Sequence, residues 1–315
     1  MKRVFIILII IVSILFGLYI FKDKVLCTVV STVGTQVTGA RIEIKGFSLG
    51  ILRQTIRIKD LKMYNPRGFS GTVLLDIPKV VVNYDLPSLL KGRLHLKLVD
   101  VELKELGLEK SKDGKLNVDS LKVAKGKKAA EKKPSKKVPL QIDELNLKIG
   151  RIVSRDYNVE KPPLIEVYDI NLNKSYKNIT SAEQLVALIL VSSLQAAGIK
   201  GAAIYGAATL AGVAALPVGL GVVLLGKDYA QQDFRVSWDK LFKVSKDILM
   251  KRGKVSREDI NAGLIDAEVD GASVTVRLKA ISGHLTQITI SARKYLLPKP
   301  EIASGILYQI TERLK

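Results

Sequence analysis

Only one cysteine, Cys27, occurs in the 315 residues, so no disulfide can form within the chain. Cysteine usage therefore carries no information about redox compartment. Histidine is nearly as scarce: His95 and His284 are the only two, too few for a histidine-built metal centre. His95 lies between Leu94 and Leu96 in an alternating segment and reads as a polar-face residue, and His284 falls in a Ser282-Gly283-His284 turn. The common catalytic motifs are missing too. There is no G-x-S-x-G elbow, no H-E-x-x-H pair and no phosphate loop, because the glycines of 216–225 lack a Lys-Ser/Thr ending. Asp60, Asp76, Asp85 and Asp100 are scattered at expected strand ends and turns rather than paired. The expectation is a protein that is not an enzyme, with no catalytic residue, metal or cofactor.

Acidic residues are also under-represented. Lys and Arg number 50 against 30 Asp and Glu, a formal charge of +20. Such a balance favours polyanionic surfaces. Nucleic acid is disfavoured, since zinc-finger spacing, glycine loops with interleaved aromatics and a compact basic recognition helix are all absent. Anionic lipid headgroups remain.

Long uncharged runs, by contrast, are present. Val4 to Phe21 carries no charge after Lys2-Arg3. As a helix it would span about 27 Å, close to the roughly 30 Å hydrocarbon core. It is too long for a typical signal-peptide core and has no small-residue cleavage site. The expectation is an uncleaved signal anchor over 1–23. With a very short N-terminus on the cytoplasmic side, the body would lie in the periplasm of a bacterial inner-membrane protein, single-pass.

From Ala40 to about Leu172 the apolar period is two. Ile42 and Ile44, Ile56 and Ile58, Leu94, Leu96 and Leu98, and Leu145, Leu147 and Ile149 alternate with polar residues. Turns are marked by Asn65-Pro66-Arg67-Gly68, Lys91-Gly92 and Lys112-Asp113-Gly114. This predicts a β-rich domain over 24–178, an elongated or curved, mainly antiparallel sheet. Its apolar face either packs as an ordinary core or holds acyl chains. Ile42, Ile44, Ile56, Ile58, Leu94, Leu96 and Leu98 are the lipid-contact candidates. Residues 122–137 form a Lys-rich loop, in which Lys125, Lys127, Lys128, Lys132 and Lys133 are candidates for an anionic surface.

An apolar segment over 179–232 follows. Ser181-Ala182-Glu183-Gln184 predicts a helix start, and 201–226 is uncharged and rich in Gly and Ala. A second membrane span, an interfacial hairpin and a buried connection all stay open there. Residues 233–315 predict a small α+β domain. It comprises a helix after Ser237 ending near Gly253, three strands with a hairpin turn at Asp270-Gly271, and a last helix from Pro300.

Several ordered features resemble the N-terminal part of the AsmA-like family over about Lys24 to Leu121. They are Gly39-Ala40-Arg41-Ile42-Glu43-Ile44, Ile58-Lys59-Asp60-Leu61-Lys62-Met63, Asn65-Pro66-Arg67-Gly68-Phe69, Leu89-Leu90-Lys91-Gly92, Leu98-Val99-Asp100-Val101-Glu102-Leu103 and Asp113-Gly114-Lys115-Leu116-Asn117. The resemblance implies an envelope protein related to bridge-like lipid transfer proteins, with phospholipid handling and no catalytic residues. The C-terminal region is similar to a small bacterial domain of unknown function found in lipoproteins. Together these readings predict a membrane-anchored α+β protein with an N-terminal transmembrane helix. It would bind phospholipid and contribute to lipid transport or envelope organisation; the alternative is a structural adaptor without lipid cargo. The expected partners are a phospholipid membrane and, as further candidates, envelope proteins or a second copy, but no nucleic acid.

Overall fold

A computed structural model describes residues 23–122, 124, 139–158, 162–199 and 228–315. Two six-stranded sheets dominate it. The first has the order β1 (Ile42–Gly50), β2 (Thr55–Tyr64), β3 (Val73–Tyr84), β4 (Leu94–Lys110), β5 (Leu140–Asp156), β6 (Leu164–Ile179). Helix α1 (residues 23–38) precedes it, α2 (Leu86–Leu90) joins β3 to β4, and α3 (Ala182–Ala196) follows β6. Every neighbouring pair is antiparallel except β4 and β5, which run parallel from Leu94↔Leu140 to Lys110↔Asp156. The sheet is thus mainly antiparallel, with one parallel pair that makes it mixed. Period-two alternation marks a strand but not its direction, and a parallel pair needs the chain to cross back.

Apolar residues of one face of the long central strands form the first core. Val99, Val101 and Leu103 of β4 and Leu145, Leu147 and Ile149 of β5 are all nearly inaccessible. The inward series changes parity in step on both strands, from Leu96 to Val99 and from Ile142 to Leu145. α3 covers β5 and β6, with Leu188, Leu190 and Leu194 buried in that core. Its start matches the capping expectation: Ser181 Oγ accepts from the Gln184 amide at 3.0 Å, and Gln184 Oε1 accepts from the Thr180 amide at 2.9 Å.

At the far end of β4 a buried polar knot fixes the chain. Asn117, fully buried, donates through Nδ2 to Asn65 Oδ1 at 2.7 Å and to the Gly107 carbonyl at 2.8 Å. The buried Glu109 carboxylate accepts from the Ser70 amide at 2.9 Å, from Asn65 Nδ2 at 3.0 Å and from the Ser70 hydroxyl. The Asn65 and Asn117 segments thus act as a structural lock that pairs distant turns, each buried polar atom being satisfied.

The second sheet has the order β12 (Leu297–Pro298), β11 (Leu285–Lys294), β10 (Ala272–Ser282), β9 (Leu264–Val269), β8 (Gly253–Asp259), with β7 (Tyr229–Phe234) also paired to β11. The expected helix, three strands and helix are thus extended by β7, β8 and β12. Helices α4 (Trp238–Arg252) and α5 (Pro300–Leu314) contribute Leu241, Phe242, Ile302, Ile306 and Ile310 to the second core.

α5 also packs against β6 of the first sheet. The approach is close enough that a Cβ on Gly305 would sit 2.0 Å from the Ile165 carbonyl oxygen, so only glycine fits there.

No helix among the described residues is long and apolar enough to cross a membrane. α3 has 15 residues, about 22 Å against a roughly 30 Å hydrocarbon core, and its apolar surface is spent on the protein's own core. The expected transmembrane architecture, the single-pass inner-membrane location and the membrane-anchored lipid-transport function are therefore not supported by any helix among the described residues. The uncharged run up to Phe21, the 201–226 segment, and Lys125, Lys127, Lys128, Lys132 and Lys133 lie outside the described residues.

Candidate functional site

Two regions concentrate unusual chemistry. The first is a cleft where β6, β7 and α5 meet. It encloses about 550 Å³ and is lined by Arg151, Asp169, Asn171, Gln232, Glu301 and Tyr308, among others. That volume lies in the range of small-molecule sites. Most of its charges already have partners. Arg151 donates through Nε and Nη2 to Glu105 Oε2 at 3.0 and 2.8 Å. Its guanidinium lies 5.2 Å from the Tyr308 ring centroid. Arg155 Nη2 donates to the Tyr308 hydroxyl at 3.0 Å, and that hydroxyl donates to Glu105 Oε1 at 3.4 Å. Lys299 pairs with Glu301 at 3.3 Å, and Lys315 with Glu312. Arg252, at the end of α4, adds a second tie by bonding both Asp270 and the Pro162 carbonyl.

Asp169 differs. It opens onto the water of the cleft, and no side chain among the described residues forms a hydrogen bond or ion pair with it. Surrounding protein nevertheless pushes its carboxyl above the usual carboxylate range, against the opposing pull of Arg151. On the same strand, burial raises Glu166 despite the hydrogen bond it accepts from Tyr168 at 2.8 Å. Burial likewise raises the Tyr168 and Tyr308 hydroxyls. No group of three or more metal-ligating side chains occurs among the described residues.

The second region is one end of the first sheet. The β1–β2 turn carries Ile51 and Leu52, and α2 carries Leu89 and Leu90. Leu52 is 99% exposed and Leu90 80%. Hydrogen bonds hold the two turns side by side. The Tyr84 amide donates to the Gln54 carbonyl at 3.0 Å, and the Leu86 amide to Gln54 Oε1 at 3.0 Å. α2 is pinned by Asp85, whose side chain accepts from the Ser88 amide at 2.9 Å. The Ser88 hydrogen bonds, helped by Lys97, hold the Asp85 carboxyl down at about 2. Arg53, Lys91 and Arg93 are exposed around the leucines, and no acidic side chain among the described residues pairs with them. The nearby acids are occupied, Asp85 with Lys97 at 3.2 Å and Asp143 with His95 Nε2 at 2.8 Å.

The lipid-contact candidates are dispersed. Ile58 is buried in the first core, while Ile42, Ile44, Ile56 and Leu96 pack partly buried against it. Leu94 and Leu98 are half-buried, Leu98 pairing across to Asn83 and Glu144. The structure does not bring these seven together into one site. Sequence periodicity missed Leu52 and Leu90, because Leu52 stands in a turn and Leu90 ends a five-residue helix, both too short to carry a periodic signal.

Comparison of the chain with family models, curated proteins and solved structures found no match. The AsmA-like resemblance is neither supported nor refuted by it.

Proposed function

We propose that this is a non-enzymatic docking protein: a two-sheet body that presents the Leu52 and Leu90 end of its first sheet to a partner. The observation that carries the reading is the pair of exposed leucines, Leu52 in the β1–β2 turn and Leu90 at the end of α2, on adjoining segments held together by hydrogen bonds. Exposed leucine by itself is common. Here four large apolar side chains share one end of one sheet with three cations that no acidic side chain among the described residues pairs with, a concentration typical of interaction surfaces.

In the cleft, Glu105, Arg151, Arg155 and Tyr308 are committed to one another and tie α5 to the first sheet. Asp169 is the cleft carboxylate without a hydrogen-bond or ion-pair partner among the described residues, so it is the residue through which acid–base chemistry in the cleft would be tested.

A complementation experiment tests the reading. In the source organism, a chain carrying Leu52→Asp and Leu90→Asp should fail to restore whatever phenotype follows deletion of the gene. Asp169→Asn should restore it. Loss with Asp169→Asn and retention with the double variant would reverse the assignment. The ordered motifs that resemble the AsmA-like family are compatible with this proposal, which does not depend on them.

A further inference from the structure

The chemistry of the docking face identifies its partner, an inference that rests on the docking reading above. We propose that Ile51, Leu52, Leu89 and Leu90 dip into the headgroup boundary of an anionic phospholipid surface, with Arg53, Lys91 and Arg93 on its phosphates. The contact is peripheral and is made by two turns, so it needs no membrane-crossing helix.

Three observations favour lipid over a folded protein partner. First, the apolar side chains stand on two protruding turns. Leu52 is almost wholly free of neighbours. Protruding knobs suit a fluid partner that moulds around them. A protein interface instead seats its anchors in packed pockets.

Second, the exposed charge beside the leucines is positive. Lys24, Arg53, Lys91 and Arg93 are exposed here. The acids of this end are engaged locally: Asp85 caps α2 beside Lys97, Asp143 meets His95, Glu144 accepts from the Ser175 hydroxyl at 3.1 Å, and Asp23 Oδ1 accepts from the Leu49 amide at 3.0 Å. A ring of cations around apolar tips matches the negative potential of an anionic leaflet. It also matches the geometry of interfacial proteins, which bury their apolar part at the headgroup level.

Third, chain outside the described residues joins at this end. The uncharged run 4–21 leads into α1 at Asp23, next to Leu49. The Lys-rich segment returns through Pro139, whose carbonyl accepts from the Leu94 amide at 2.9 Å. Asp23, which follows the uncharged run, and Pro139, which follows the Lys-rich segment, thus both lie at this end, whereas Lys122, on the other flank of that segment, bonds the Gln36 carbonyl at the opposite end of α1.

The test reads the environment of the turns themselves. Cys27→Ser removes the sole thiol. Leu52→Cys, Leu90→Cys and, as a control on exposed α4, Lys243→Cys are then labelled one at a time with an environment-sensitive fluorophore in the full chain. The probes are vesicles of phosphatidylcholine mixed with phosphatidylglycerol, and vesicles of phosphatidylcholine alone. Labels at 52 and 90 should shift to the blue and brighten several-fold on the mixed vesicles, with little change at 243. Charge reversal of Arg53, Lys91 and Arg93 together should abolish the preference for the mixed vesicles.

Labels at 52 and 90 that remain in water while the protein binds vesicles overturn the proposal, as does failure to bind the mixed vesicles. Labels shielded before any vesicle is added, with a dimer in sedimentation, would assign the face to a second copy instead. If the Leu52→Asp, Leu90→Asp chain loses function while the labels stay in water, docking survives and lipid does not. If that chain keeps its function, both readings fall.

Discussion

Gly305→Ala tests how the two sheets are joined. A Cβ at this position would meet the Ile165 carbonyl oxygen at 2.0 Å and the carbonyl carbon at 2.9 Å. Real Cβ contacts essentially never fall below 3.0 Å, so α5 and β6 must separate by at least about 1 Å. The obstacle is strand backbone and cannot rotate away as a flexible side chain would. Overpacking of this kind costs about 3 kcal/mol at the upper end of its usual range. Alanine in a helix interior returns about 1 kcal/mol relative to glycine. The net expectation is a loss of about 2 kcal/mol. Urea unfolding should be followed by far-ultraviolet circular dichroism and by the fluorescence of Trp238, which reports on the second sheet through its 2.9 Å bond to the Ile260 carbonyl. Hydrogen exchange should quicken along β6 in the same variant, because the helix is lifted from that strand. A variant more stable than the parent by about 1 kcal/mol, with unchanged exchange on β6, would mean that propensity alone acts and that the close approach does not exist.

Other perturbations address separate parts of the molecule. Asn117→Ala should cost about 3 kcal/mol in urea unfolding, since it strips the fully buried knot of the bonds to Asn65 Oδ1 and the Gly107 carbonyl. Tyr295 and Leu296 form the two-residue turn between β11 and β12 with φ of +50° and +67°. Asn-Gly at these positions should stabilise the chain by about 1–2 kcal/mol, because that pair suits a turn of this handedness; an unchanged midpoint would refute the strain. Asp169 has a folded-state pKa above its ordinary 3.8, so the folded state binds the proton more tightly than the unfolded one. Its contribution is fully present below pH 3.8 and is lost as pH rises through the raised value. Asp169→Asn should therefore raise the thermal midpoint at neutral pH relative to the parent and flatten the acid-side slope. A variant whose midpoint tracks the parent at every pH would contradict the crowding of that carboxyl.

Much of the local structure was legible in the residues. Alternation in Ile42-Glu43-Ile44, Ile56-Arg57-Ile58 and Leu145-Asn146-Leu147 marked β1, β2 and β5, since a period of two has few competing explanations. Asp270-Gly271 marked the β9–β10 hairpin, where both residues take positive φ. Of the readings left open for the segment after Leu185, α3 takes the buried one, and the sequence could not choose for a physical reason. A helix apolar on all sides can be buried by lipid or by protein, and composition does not distinguish the two.

By itself, then, the sequence determined where the chain is extended, where it turns, that positive charge dominates, and that the common catalytic motifs are missing. These are properties of neighbouring residues. Only the tertiary structure decided that β4 and β5 run parallel, that Asn65, Glu109 and Asn117 close one knot, and that α5 serves two sheets at once. It also decided that Leu52 and Leu90 stand together at one end. Each of these joins residues far apart in the chain, and their pairing follows from sheet order and packing, which no local pattern encodes.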